Sequence, residues 1–196
     1  MDTASPRPFV IRRARREDSA ALVRIVDIAS EGLSTHICKL IAPPGVDAKD
    51  VAEAIASADE GSLSWRNGWI VEMDGAVAGG MISFRLGPLP VEPDGLLPKL
   101  VPLWALERRA QGLHYVYAIA TFREFRGNGL ARALMREAER QAEDAPGICL
   151  IVADRNVAAR QLYTSLGYVD EASMPIVTNG WQSDSENWIL MRKPLV

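Results

Sequence analysis

The 196-residue sequence predicts a mixed α/β fold, with antiparallel strands early and a βαβ-like unit late. Three observations predict it. The spacing of apolar residues switches repeatedly between the helical period of about 3.6 and the strand period of about 2. Asp74-Gly75 lies between two apolar runs, a strong short-range signal for an antiparallel hairpin. Later in the chain, strand-like and helix-like segments alternate, as in a βαβ unit. The length suits one domain with a sizeable core, so residues 1–196 read as a single domain.

The elements follow in order. Phe9-Val10-Ile11-Arg12-Arg13 reads as a first strand. Ala21, Leu22, Ile25, Val26, Ile28 and Ala29 form one apolar face of a helix that begins near Glu17, and Gly32 stops it. Residues 33–45, with His36, Cys38 and Pro43-Pro44, read as irregular. Asp47 is an N-cap for a second helix that runs to about Ala58. Residues 69–73 and 76–86 are the two strands of the hairpin. Residues 87–112 contain Pro88, Pro90, Pro93, Pro98 and Pro102, which forbid one long regular element. Leu96, Leu97, Leu100, Leu103, Trp104 and Leu106 carry too much apolar surface for a disordered linker. This segment reads as an ordered insertion with a short helix near 103–110. Covering a pocket, packing on a sheet edge and meeting a second subunit in a homodimer are its open roles. A strand to about Phe122, a helix over 127–143, a strand over 148–153 and a helix over 156–166 come next. Two strands within 168–192, joined by the polar loop 179–186, complete the chain.

Hydrophobic residues make up 48% and charged residues 24%, the balance of an ordinary soluble globule. A net charge of −3 offers no bulk attraction to nucleic acid or to an acidic membrane. No apolar run approaches the roughly 20 residues of a membrane span. The first eight residues are polar and lack a signal-peptide core, so the expected location is cytoplasmic. Cys38 and Cys149 form no metal-type cluster and read as reduced, buried thiols.

The chemistry is concentrated in Arg126-Gly127-Asn128-Gly129-Leu130-Ala131. This run follows the apolar stretch 115–120 and opens an amphipathic helix. A strand, a glycine turn and a helix start can aim several backbone N–H groups at one anion, and the helix dipole adds to the attraction. A Walker A loop needs Lys-Ser/Thr after its last glycine, but Leu130-Ala131 stands there. The dinucleotide fingerprint needs a small residue three positions beyond its second glycine, but that position is Arg132. The pattern Arg/Gln-x-x-Gly-x-Gly/Ala is met by Arg126, Gly129 and Ala131.

In this pattern the chain resembles the GNAT superfamily of N-acetyltransferases. Asn156-x-x-Ala159-x-x-Leu162-Tyr163, with Leu166-Gly167-Tyr168, resembles the family's second signature. Ile11-Arg12-Arg13-Ala14 with Asp18 resembles its first strand and helix start. The predicted element order, β-α-α-β-β-β-α-β-α-β-β, agrees outside the insertion at 87–112.

The resemblance implies a GNAT fold, a central, mixed, mostly antiparallel sheet flanked by helices, and an acetyl-CoA-dependent enzyme acting on a primary amine of a small molecule or peptide. It implies that Arg126, Gly127, Asn128, Gly129, Leu130 and Ala131 hold the acetyl-CoA pyrophosphate. The backbone of Ile119, Ala120 and Thr121 would pair with the pantetheine arm, and one of its N–H groups would polarise the thioester carbonyl. Asn156 would cap its helix and contact the cofactor. Tyr163 would act as general acid toward the departing thiolate. Arg123 and Arg132 are within range of outer phosphates, although solvated arginine is the simpler reading.

The general base is not evident. Where many members carry a carboxylate or histidine, this chain has Tyr115 and Tyr117, which share one face of a strand. His114 points to the other face, His36 lies in the first loop region, and Glu72, Glu107 and Glu186 remain open. Trp104, Trp181 and Trp188 near the pocket would favour an apolar or flat acceptor, but core packing is equally consistent. No metal is expected. Direct attack is expected over an acyl-enzyme, because Cys149 lies in a buried-strand pattern and no Ser-His-Asp set is present. A GNAT fold that binds CoA without turnover is the alternative.

Overall fold

The computed structural model describes residues 7–91 and 95–195. The polar residues 1–6 and Pro93 of the insertion lie outside the described residues. Seven strands form one mixed, mostly antiparallel sheet: β1 (Phe9–Arg13), β2 (Gly68–Met73), β3 (Ala76–Arg85), β4 (His114–Thr121), β5 (Gly147–Ala153), β6 (Val169–Pro175) and β7 (Asn187–Pro194). Their order is β1-β2-β3-β4-β5-β7-β6. The helices are α1 (Ser19–Ala29), α2 (Leu33–Ile41), α3 (Ala48–Ser57), α4 (Val101–Arg109), α5 (Leu130–Gln141) and α6 (Val157–Ser165). The described chain gathers into two compact units. One is built from residues up to Ser83 together with 118–137, the other from 84–117 together with residues from Ala138 onward.

In the first unit, β1 and β2 pair antiparallel from Phe9↔Met73 to Arg13↔Trp69, and β2 pairs with β3. Asp74 and Gly75 join β2 to β3 at φ 53° and 75°, the left-handed pair that a two-residue hairpin requires. Leu22, Ile25 and Val26 of α1 are buried, as their spacing predicts. Asp47 caps α3, accepting from the Lys49 N–H at 2.7 Å.

The irregular reading of residues 33–45 is corrected, because α2 occupies most of that segment. Leu33, Ile37, Leu40 and Ile41 do recur at helical spacing, but the following Pro43-Pro44 obscures the period. Preceding side chains start the helix. Ser30 Oγ accepts from the Ser34 N–H at 3.1 Å, and Asp27 Oδ1 accepts from the Thr35 N–H at 3.2 Å.

Close approach of backbones explains two glycines of β3. A Cβ on Gly79 would stand 2.3 Å from the Ala120 carbonyl oxygen, and one on Gly80 would stand 2.2 Å from that of Trp69. Neither neighbour can retreat without breaking the sheet. Gly80→Ala is therefore expected to lower unfolding free energy by about 2–3 kcal/mol, readable by urea denaturation.

In the second unit, β5 pairs with β7 from Gly147↔Pro194 to Ala153↔Trp188, and β7 pairs with β6 across an irregularity between Asp170 and Ala172. The start of β4 pairs parallel with β5, His114↔Ile148 to Val116↔Leu150. The insertion helix α4 begins slightly earlier than predicted. A 3-10 turn, Pro98–Leu100, leads into it, and Pro102 lies in its first turn, where a missing N–H costs nothing. α4 packs against β6 and β7, with Leu106 fully buried.

Asp154, just after β5, fixes the segment that returns into β7. Its carboxylate accepts from the N–H of Glu186 at 3.1 Å, from the N–H of Asn187 at 3.0 Å and from Asn187 Nδ2 at 3.0 Å. Burial alone would raise its pKa, but the Asn187 side chain and the backbone donors outweigh that and hold it below the usual carboxylate range. A lowered folded pKa gives stability that is complete above the ordinary carboxylate value and is lost as pH falls through the folded one. Asp154→Ala should thus cost about 1–2 kcal/mol at neutral pH. The difference in Tm from the parent should shrink as pH drops below about 4.

Candidate functional site

The glycine turn lies at the start of α5, in the first unit. Gly127 has φ 81° and Gly129 φ 74°. A right-handed helix cannot include left-handed residues, so α5 starts at Leu130, three residues later than expected. Its first backbone bond runs from the Ala133 N–H to the Gly129 carbonyl at 3.0 Å. The N–H groups of Leu130 and Ala131 therefore precede the first helical donor, Ala133, and are available to an anion. Alternating left-handed residues at a helix start turn successive N–H groups toward one point. A Cβ on Gly127 or Gly129 would meet nothing within 4 Å, so it is the positive φ and not crowding that calls for glycine at both positions.

The side chains of the turn brace it. Asn128 Nδ2 donates to the carbonyls of Phe125 at 3.0 Å and Arg126 at 3.3 Å. Arg126 is exposed, and its Nε donates to the Thr121 carbonyl at 3.4 Å, linking the turn to the end of β4. What Asn128 can offer an anion is consequently its main chain, whereas the guanidinium of Arg126 sits beside the turn as a positive charge. Leu130 is buried, as are Leu134, Met135 and Ala138, and Ala131 is half-buried. Arg136 and Arg140 are exposed on the opposite face, as the amphipathic pattern predicts.

Ile119, Ala120 and Thr121 lie at the end of β4 that leads to this turn. Among the described residues, pairing of β4 with β5 covers only His114 to Val116. Residues 118–121 thus keep one strand edge with no ladder partner on the side away from β3. An edge of this kind can accept an extended chain carrying amide groups.

Asn156 and Tyr163 belong to α6, in the second unit. Asn156 Oδ1 accepts from the Ala159 N–H at 3.3 Å, the expected N-cap. Tyr163 is buried, with its ring 6.2 Å from that of Tyr168. Burial raises the Tyr163 pKa above its ordinary value, so its hydroxyl keeps its proton throughout the physiological range.

Tyr115 and Tyr117 share one face of β4, with ring centroids 5.9 Å apart. Phe84 completes the cluster, 5.9 Å from Tyr115 and 6.4 Å from Tyr117. Of the three carboxylates left open, two are committed to ion pairs. Glu72 Oε1 lies 2.6 Å from Arg12 NH2, and Glu186 Oε1 lies 2.7 Å from Arg155 NH2. Glu107 differs. It is half-buried on α4, Tyr115 is its hydrogen-bond partner, and desolvation pushes its pKa up to about 7. His36 lies on α2 instead of in a loop. It does not line the small apolar pocket that α1, α2 and α3 form around Leu22, Val26, Cys38 and Ala52.

Trp181 and Trp188 are buried and stacked, 6.1 Å apart with planes 5° from parallel, so their rings serve each other first. Cys149 is fully buried, and desolvation pushes its thiol up to about 12, which removes it as a nucleophile at neutral pH. No metal-ligating cluster occurs among the described residues, and no helix there is long and apolar enough to cross a membrane.

Comparison with known proteins agrees with this architecture. Residues 37–168 match the acetyltransferase (GNAT) family. An N-acetyltransferase from Staphylococcus aureus Mu50 superposes with a TM-score of 0.64 at 18% identity, covering 94% of this chain and 100% of that one. Ard1 from Thermoplasma volcanium superposes at 0.58 with 16% identity, covering 96% and 98%. The ribosomal-protein-S18-alanine N-acetyltransferase of Escherichia coli superposes at 0.57 with 18% identity, covering 95% and 94%. No curated protein matches significantly in sequence. The fold and the family match place this protein in one class: it is a member of the GNAT acetyltransferase family. It is accordingly an acyl-CoA-dependent acetyltransferase.

Proposed function

We propose that this chain is a single-domain cytoplasmic enzyme that moves an acetyl group from acetyl-CoA to a primary amine of a small molecule or peptide. The observation that carries this reading is the pair of left-handed glycines at the start of α5, beside an unpaired end of β4. Such a turn suits a pyrophosphate, and such an edge suits the amides of pantetheine. Arg126, Gly127, Asn128, Gly129, Leu130 and Ala131 hold the former, and Ile119, Ala120 and Thr121 the latter. A backbone N–H of that edge polarises the thioester carbonyl. Asn156 orders the start of α6 at the cofactor.

Tyr163 presents a protonated hydroxyl to the departing sulfur. Ordinary thiol and tyrosine pKa values, about 8.5 and 10, would make proton transfer only mildly uphill. The raised Tyr163 value widens that gap, so its first contribution is a hydrogen bond to the developing thiolate. The amine attacks directly, because the Cys149 thiol stays protonated and buried. An amine panel tests the reading through release of free CoA. Steady release with at least one amine, and none without it, is expected. CoA binding with no turnover on any amine would contradict it and leave a binding module.

A further inference from the structure

We propose that Arg24 of α1 is a positioning residue for the acyl donor. It grips the segment between β4 and the glycine turn, and so keeps the N–H groups of that turn aimed at one point. This inference rests on the reading of the turn as the acetyl-CoA pyrophosphate site. Every residue in it belongs to the first unit.

Leu22, Ile25 and Val26 form the buried face of α1, and the helical period puts Arg24 beside that face instead of on it. An arginine there is ordinarily left to water. Asp27, one turn along the same helix, is engaged elsewhere and accepts from the Thr35 N–H at 3.2 Å. Arg24 reaches out of its helix. Its guanidinium carbon lies 3.7 Å from the centroid of the Phe122 ring, and its Nη2 lies 3.6 Å from Glu124 Oε1. Both partners belong to the segment 122–129, which links the end of β4 to the start of α5.

Hydrogen bonds carry this grip to the turn. Phe122 is buried and leads into a 3-10 turn, Arg123–Phe125, in which the Phe125 N–H donates to the Phe122 carbonyl at 2.9 Å. The Phe125 carbonyl in turn accepts from Asn128 Nδ2 at 3.0 Å, between the two left-handed glycines. The start of the segment is fixed by β3, because the Phe122 N–H donates to the Ala78 carbonyl at 2.9 Å. Close to that bond α1 is seated on β3, where a Cβ on Gly80 would stand 2.9 Å from Ile25 Cδ1. The segment is therefore held in the plane of the sheet by β3 and from the helix layer by Arg24. A segment ordered before the ligand arrives spares that ordering cost at binding.

The contact suits positioning better than stability. About half of the Arg24 and Glu124 side-chain surface stays exposed, at 52% and 55%, and an exposed ion pair contributes little to the global fold. A guanidinium on an aromatic face favours one orientation of the ring beneath it. Loss of Arg24 should accordingly loosen residues 123–129 and leave the unfolding midpoint within about 2 °C of the parent.

The test begins on the CoA-free protein. Amide hydrogen exchange of residues 123–129 should be about fivefold faster in Arg24→Ala than in wild type, with the amides of β1 and β2 unchanged. Equal rates over 123–129 would overturn the proposal and leave the donor site standing. Calorimetric titration with CoA should then show a Kd about three- to tenfold higher in Arg24→Ala. A wild-type Kd in that variant overturns Arg24 alone. Phe122→Leu separates gripping from plain attraction between a cation and a phosphate, because it removes the ring and keeps every charge. In that background Arg24→Ala should cost less than about twofold. The same loss in both backgrounds would make Arg24 a direct or long-range contact and overturn its positioning role. Failure of the wild-type protein to bind CoA overturns this inference and the donor reading together.

Discussion

Replacing both turn glycines, in Gly127→Ala/Gly129→Ala, should weaken CoA binding about 30- to 150-fold, the equivalent of about 2–3 kcal/mol. The two residues sit at φ 81° and 74°, where an alanine costs roughly 1–2 kcal/mol each. A methyl group at either position meets no atom within 4 Å, so the substitution introduces no clash. The exposed turn can relieve the strain by rotating to negative φ, which turns its N–H groups away from a common point. The damage therefore falls on anion binding more than on folding. Calorimetric titration with CoA reads the first effect, and an unfolding midpoint lowered by no more than a few degrees reads the second. Asn128→Ala is a useful contrast. It removes hydrogen bonds to the Phe125 and Arg126 carbonyls but leaves every N–H in place, so its loss of affinity should be much smaller.

Tyr163→Phe should lower kcat about 100-fold while changing acetyl-CoA affinity less than about twofold. The ring is buried against Tyr168, and phenylalanine keeps that packing, so the variant should fold and bind as the parent does. Only the hydroxyl proposed to face the sulfur is lost. Because burial holds the Tyr163 proton in place, its removal should shift the rate without adding or deleting a limb in the pH profile below about pH 10. An enzyme with unchanged kcat in Tyr163→Phe would leave Tyr163 as a packing residue.

Much of the fold was legible because local signals and tertiary structure agree. Asp74-Gly75, the Asp47 cap, the apolar faces of α1 and α5, and the alternation of β4, α5, β5 and α6 are all local features of the chain. α2 was missed because its period is short and is followed directly by Pro43-Pro44. Its starting bonds come from Ser30 and Asp27 of the preceding segment, which no periodicity reveals. The start of α5 was placed three residues early because φ is not visible in a residue name. Glycines that bracket Asn128 fit a helix end and a left-handed turn equally well.

The local features proposed for the donor side were legible for the same reason. The glycine turn, the preceding strand end, Asn156 and Tyr163 are contiguous motifs. The base was not. Glu107, Glu72 and Glu186 look alike in sequence, and only the structure shows that their partners differ. Arg12 claims Glu72 from β1, 60 residues away, and Arg155 claims Glu186 from 31 residues away. The i, i+3, i+4, i+7 stripe of α4 sets Glu107 apart in sequence, since it places a carboxylate where a hydrophobic residue belongs. For the tryptophans the sequence left pocket and core open. Trp181 and Trp188 stack on each other inside the second unit, so their presence describes packing before it describes an acceptor.

The central claim is that the glycine turn holds the acyl donor. A crystal structure of the protein with CoA tests it most directly. The account predicts pyrophosphate oxygens within hydrogen-bond distance of main-chain N–H groups among residues 127–131, and pantetheine amides paired with the backbone of Ile119, Ala120 and Thr121. CoA bound elsewhere, with no contact to Arg126 through Ala131, would contradict the account at its root.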